Sequence, residues 1–141
     1  MLRPGRRGRR PAVTTKGPLH VEFSEALDKH LAAVSGRDLT GFLATVHPDV
    51  SMILPNGKFL AGRPEVEAFH REWFDDPDWS LSLDRLRQTG TDGTGVAVCD
   101  VTYHDLDGSG QPYDLRYLLT LTFTREDGTW LLLHDQNTLT P

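Results

Sequence analysis

Four polar residues, His134, Asp135, Gln136 and Asn137, follow directly on the apolar run Trp130, Leu131, Leu132 and Leu133 near the end of the chain. An imidazole or a carboxyl held in an apolar surround titrates near neutrality, as general acid–base chemistry requires, and an amide beside it supplies hydrogen bonds. A half-exposed strand alternates polar and apolar residues along its whole length. This segment does not, so the question is which of the four share a face.

The hairpin before it carries that decision. In "FTREDGTWLL" the Asp127-Gly128 pair predicts a two-residue type I′ turn, since both central residues must take positive φ. Glu126 then lies opposite Thr129, Phe123 opposite Leu132, Leu121 opposite His134, Leu119 opposite Gln136 and Tyr117 opposite Thr138. On that register His134 and Gln136 point inward with Tyr117, Leu119 and Leu121, while Asp135 and Asn137 point outward beside Arg116 and Leu118. His134 is then the candidate acid–base group, with Tyr117 and Gln136 as its hydrogen-bonding company. A slip of one residue would send both outward.

Asp100, in "VAVCDVTYH", is the second catalytic candidate. If the "DLDGSG" turn pairs residues whose numbers sum to 217, Asp100 faces Tyr117 on the inner side, where desolvation raises its pKa. If the sum is 216 or 218, it lies outside next to Arg116 as an ordinary cross-strand ion pair. His70 sits one helical turn after Val66, between Phe69 and Trp73, as a core histidine or a cavity wall. Trp73, Met52 and Leu119 complete the expected lining, all of them on inward positions.

Positioning these groups falls to elements legible from periodicity. From Leu19, apolar residues recur at Phe23, Ala26, Leu27, Leu31 and Val34, the spacing of a helix stopped by Gly36. Asp38 caps a short second helix carrying Leu39, Phe42, Leu43 and Val46, ended by His47-Pro48. "VSMILPNGKFL" reads as a strand, an Asn56-Gly57 turn and a return strand, and Pro64 opens a third helix. Beyond Asp78 four strands alternate with turns. The expected fold class is α+β: three helices packed on one face of a curved antiparallel sheet.

Composition narrows the partners. One domain is expected over residues 19–141, preceded by a flexible basic arm, 1–18, that holds Arg3, Arg6, Arg7, Arg9, Arg10 and Lys16 and no acid. Residues 17–141 hold the other nine basic residues against all twenty acidic ones, a net charge of −11. That acidic body opposes nucleic acid, and no run is apolar and long enough for a membrane span or a secretory signal, so the expected location is cytoplasmic. Cys99 is the lone cysteine and the six histidines show no metal-ligand spacing, so neither a metal nor a cofactor is expected.

The stretch "LTGFLATVHPDVSMILPNGKFLAGRPEVEAF" and the ending "REDGTWLLLHDQNT", with the order of elements, make residues 21–138 resemble the nuclear transport factor 2-like superfamily, and within it the SnoaL-like group related to polyketide cyclases. The resemblance implies a sheet wrapped round the first helix into a cone with an apolar internal cavity, and a homodimer through the outer sheet face. It implies a cofactor-free isomerase or cyclase, with a lyase or hydrolase also open, acting by proton transfer on an apolar, polyketide-like or other cyclic metabolite. A ligand-binding or assembly module without catalysis is the alternative. Ketosteroid isomerase relatives use an Asp base with Tyr and protonated Asp donors. Here no Tyr on the first helix matches that pattern.

Overall fold

The computed structural model describes the backbone of residues 2–3, 5–11 and 18–141 and the side chains from Glu22 onward; within the arm expected to be flexible, Leu2–Arg3 and Gly5–Pro11 pair as a short antiparallel ribbon apart from the main sheet, and the rest of 1–17 lies outside the described residues. Helix α1 runs Pro18–Ser35 and buries Phe23, Leu27, His30 and Ala33 along one face. Gly36 does stop it, but the left-handed residue is Arg37, at φ 53°. That backbone is tolerated because the Arg37 guanidinium lies 3.9 Å over the Trp79 ring and donates to the carbonyls of Asp76 and Trp79. One side chain thereby ties the end of α1 to the chain leaving the third helix.

Helix α2 (Leu39–Leu43) begins at Asp38, whose carboxylate accepts from the Gly41 N–H at 3.0 Å. It is shorter than its apolar spacing suggests. Val46 is the first residue of strand β1 (Val46–Ile53), which turns through Gly57, at φ 86°, into β2 (Phe59–Ala61). Helix α3 (Arg63–Asp75) has Pro64 in its first turn and buries Val66, His70 and Phe74. Strands β3 (Ser80–Gly90), β4 (Thr94–Leu106), β5 (Pro112–Glu126) and β6 (Thr129–Leu139) follow as antiparallel neighbours.

The six strands lie in the order β2-β1-β6-β5-β4-β3. β1 runs parallel to β6, so the sheet is mixed rather than purely antiparallel. Two strands so far apart in sequence can pair in parallel because everything between them forms the crossover. Bulges at Arg85/Arg87 and at Thr122/Phe123 add local bend and twist to this open, curved sheet. Its concave side carries the core: Phe23, Leu27, Phe42 and Val66 from the helices meet Val50, Leu121, Phe123 and Leu132 from the strands. Gly95 lets α1 approach closely, for a Cβ there would stand 2.6 Å from the Phe23 ring. Among the described residues no helix is long and apolar enough to cross a membrane.

Candidate active-site cavity

The Asp127-Gly128 turn forms as expected, with φ of 51° and 79° and Glu126 opposite Thr129. Phe123 also pairs with Leu132, but the next pair is Thr122 with His134. One extra residue, Leu133, is accommodated in β6, and from there each side chain takes the face opposite to the one regular alternation assigns. Asp135 pairs with Leu121 and Asn137 with Leu119, so these two face inward. The inward placement of His134 and Gln136 is thus corrected. His134 lies on the outer face with Nδ1 2.9 Å from Ser51 Oγ, and Gln136 is exposed.

The neighbouring parallel ladder is interrupted at the same level. Val46 pairs with Leu132 and Ser51 with His134, five residues of β1 against two of β6, across a segment that contains Pro48. Proline has no N–H to donate to a ladder, so regular pairing cannot continue through it.

Asp100 resolves to the second of its two registers. It pairs with Leu118, a sum of 218, and its Oδ2 accepts from Arg116 at 2.7 Å on the outer face. Its Oδ1 is buried with no hydrogen-bond partner among the described residues. It does not reach the cavity.

That cavity, about 320 Å³, lies between the helices and the inner face of the sheet. Five expected residues line it: Met52, His70, Trp73, Tyr117 and Leu119. Among the further lining residues that the sequence did not mark as site residues are His30, Asp135 and Asn137. His30 was open to reading, since it stands seven residues after Phe23 and three after Leu27 on the buried face of α1. For Asp135 and Asn137 the signal is the unbroken run 130–133, which no regular two-faced strand explains and a bulge does.

The polar groups have distinct electrostatic roles. Burial pushes the Asp135 carboxyl up to about 7, against the Asn137 N–H, which favours its ionised form. Asn137 spends both amide hydrogens, one on the Ile53 carbonyl at 2.8 Å and one on Asp135 Oδ1 at 3.0 Å. This leaves Oδ2 as the oxygen that gains and loses the proton. Tyr117 is raised by burial and by the charge of Asp135, and stays a phenol. His70 is lowered to about 4 by burial, and His30 to about 3 by burial and by His70. Both imidazoles are therefore neutral over the physiological range.

Their tautomers are fixed as well. The Val66 carbonyl can only accept, so the His70 Nδ1 2.7 Å from it carries the proton. Thr45 spends its hydroxyl proton on the Phe42 carbonyl at 2.6 Å, so His30 Nδ1, 2.8 Å from Thr45 Oγ1, is also the donor. Nε2 of each ring is then a lone-pair acceptor. Tyr103 is held from both sides, accepting from Trp73 Nε1 at 3.1 Å and donating to Asp105 Oδ2 at 2.6 Å. Among the described residues no lysine or arginine lines the cavity, and no group of three His, Cys, Asp or Glu is arranged to hold a metal ion.

No curated protein matches the sequence. Solved structures do, at identities that speak for the fold alone. An uncharacterised Caulobacter vibrioides protein with a cystatin-like fold has a TM-score of 0.75 and 20% identity over 89% of this chain and 92% of that one. A ketosteroid isomerase-like protein from Erwinia carotovora atroseptica has a TM-score of 0.72 and 12% identity over 86% and 96%. The CaMKII hub of S. rosetta has a TM-score of 0.67 and 23% identity over 92% and 99%. The SnoaL-like domain matches residues 24–138, and so the chain, with its helices packed over a curved mixed sheet, belongs to the SnoaL-like family with a nuclear transport factor 2-like, cystatin-like fold.

Proposed function

We propose that the protein binds a compact, mainly apolar metabolite in the cavity and moves a proton on it with Asp135 as the acid–base group. The observation that carries this reading is a buried carboxyl on the cavity wall, with no cationic partner among the described residues, whose one oxygen is held by Asn137 while the other meets no donor among them. Such a group exchanges its proton near neutral pH. Asp135 Oδ2 takes a proton from carbon next to a ligand carbonyl, the electron pair moves onto the carbonyl oxygen, and the Tyr117 hydroxyl donates to the enolate so formed. Returning the proton to another carbon of the conjugated system gives an isomer, with no cofactor required. Met52, Trp73 and Leu119 shape the apolar wall. The ketosteroid isomerase-like neighbour is consistent with this class of chemistry.

Deuterium exchange next to the carbonyl of 1-tetralone, followed by NMR in D2O, tests it. The protein accelerates exchange, Asp135→Asn loses about a hundredfold or more, and His134→Asn leaves the rate unchanged. Tight binding of the ketone with no acceleration would reduce the role to ligand binding, and loss of rate in His134→Asn would return the acid–base role to the outer face.

A second reading concerns assembly. The outer face carries half-buried Val96, Val98 and Leu118, which suits a second copy of the chain, and similar structures include a protein named as a kinase hub. Homodimerisation through this face is compatible with the cavity chemistry. Sedimentation over a range of concentrations tests it, and a monomer throughout would remove it.

A further inference from the structure

The helical wall of the cavity has a chemistry that the acid–base reading leaves unused. His70 and His30 both line the cavity, both are neutral, and both have Nδ1–H committed to Val66 O and Thr45 Oγ1. Each Nε2 is thereby an acceptor, and among the described residues no donor meets either. Neither Nε2 is among the buried polar atoms that lack a partner, so each is an acceptor open to the space beside it, where a ligand donor adds a hydrogen bond. His70 is the less buried of the two rings. It is held rigidly, stacked on Phe42 at 4.1 Å between centroids and edge-on to Phe69 at 5.1 Å and Trp73 at 5.7 Å.

The same lining narrows the ligand by charge. With no lysine or arginine among the described residues of the wall, an anionic ligand would be buried there without a counter-ion from any of them. The imidazoles resist protonation and so cannot supply one. A bound ligand therefore has to be neutral, and its polar groups have to be complementary to the walls they meet: an acceptor toward Tyr117 and Asp135, a donor toward the imidazoles.

We infer that the cavity selects a neutral, hydroxylated cyclic ketone, whose hydroxyl group donates to Nε2 of His70 while its carbonyl faces Tyr117 and Asp135 on the sheet. This rests on the proposed ligand cavity and names the class of compound it takes. His30, also on the cavity wall, adds a second acceptor for a further hydroxyl.

Three bicyclic probes separate the terms: 1-tetralone has the carbonyl alone, 6-hydroxy-1-tetralone adds the donor, and 6-methoxy-1-tetralone replaces the donor by an acceptor. Calorimetry with the full chain should show 6-hydroxy-1-tetralone binding about five- to tenfold tighter than the methoxy compound, the gain of one buried neutral hydrogen bond. In His70→Phe, which keeps the aromatic stack, that preference disappears while 1-tetralone still binds. Nitrogen-15 NMR of the imidazoles in the unmodified protein gives a readout independent of the variant's folding. The His70 Nε2 resonance should move toward its hydrogen-bonded position with the hydroxy compound and stay with the methoxy compound. Equal affinities of the hydroxy and methoxy compounds, or an unmoved Nε2 resonance with the hydroxy compound bound, would overturn the assignment while leaving the ligand cavity standing. Binding of none of the three would overturn both.

Discussion

His134 and Asp135 are neighbours in sequence and opposites in environment. The imidazole sits on the outer face, half-buried against Ser51 at 2.9 Å; the carboxyl sits on the inner face, buried, with its pKa pushed up to about 7. The same contrast runs through the rest of the protein. Asp100, another carboxylate on the sheet, faces outward and accepts from Arg116 at 2.7 Å, whereas Asp135 meets no cation among the described residues. His30 and His70, inside, lose their basicity to desolvation. Face, far more than residue type, decides which of these groups can do chemistry, and face is set here by one extra residue in β6.

Three consecutive leucines provide the sharpest way to break this comparison. Leu132 is fully buried against Phe123, and Leu131 and Leu133 are only partly covered. Leu132→Ala is expected to cost about 2–5 kcal/mol, transfer and cavity terms together. Leu131→Ala and Leu133→Ala should each cost roughly 1 kcal/mol, in proportion to the apolar area they cover. Denaturant titration of the three variants measures all of this. Equal costs at Leu132 and Leu133 would mean that the bulge lies elsewhere, and with it the assignment of Asp135 to the cavity would go.

Much of this was legible beforehand, for identifiable reasons. Helix α3, the Asn56-Gly57 and Asp127-Gly128 turns and the inward positions of Met52, His70, Trp73, Tyr117 and Leu119 follow from local rules that tertiary structure leaves intact. The register of β6 beyond Leu132 does not, because a bulge is a joint property of two ladders. One of these is the parallel pairing with β1, which lies about eighty residues away in sequence and skips from Val46 to Ser51 across Pro48. No hairpin rule reaches that far. The choice between Asp135 and His134 as the inward group therefore required coordinates, and so did the choice of register for Asp100.

The pH dependence of stability gives a second, smaller effect that sharpens the same contrast. His30 and His70 have folded pKa values depressed below 6.5, so the stability linked to them is present above that pH and is lost as pH falls toward 4 and 3. Asp135 works in the other direction. Its folded pKa is raised from 3.8 to about 7, so its contribution is present below 3.8 and is lost as pH rises through 7. As pH falls from 6.5 to 5, unfolding takes up from one rising toward two protons at the imidazoles and releases nearly one at Asp135, so the net uptake grows from a fraction of a proton to about one, and stability falls by roughly 1 kcal/mol over that range. Asp135→Asn removes the opposing proton and should steepen the slope toward two. A slope unchanged in Asp135→Asn would take the opposing proton away from Asp135 and with it the assignment of that carboxyl to the buried face.

The smallest effect on the folded chain, and the one that isolates the outer face, comes from Leu118→Lys. Leu118 pairs with Asp100 across β4 and with Thr138 across β6, on the sheet face opposite to its cavity-lining neighbours Tyr117 and Leu119, and it is only partly covered within one chain. A lysine there keeps its stem along the sheet and places its ammonium in water, beside an existing carboxylate. The stability of the isolated chain should change by no more than about 0.5 kcal/mol, and proton exchange on 1-tetralone should persist. Association should not, because two copies meeting through this face would bury two unpaired ammonium groups close together. Sedimentation then reads a monomer that still turns over the ketone. If exchange disappears together with the association proposed for this face, the two faces of the sheet are not independent, and the cavity depends on a second copy pressed against the outside for the shape that holds Asp135 in place.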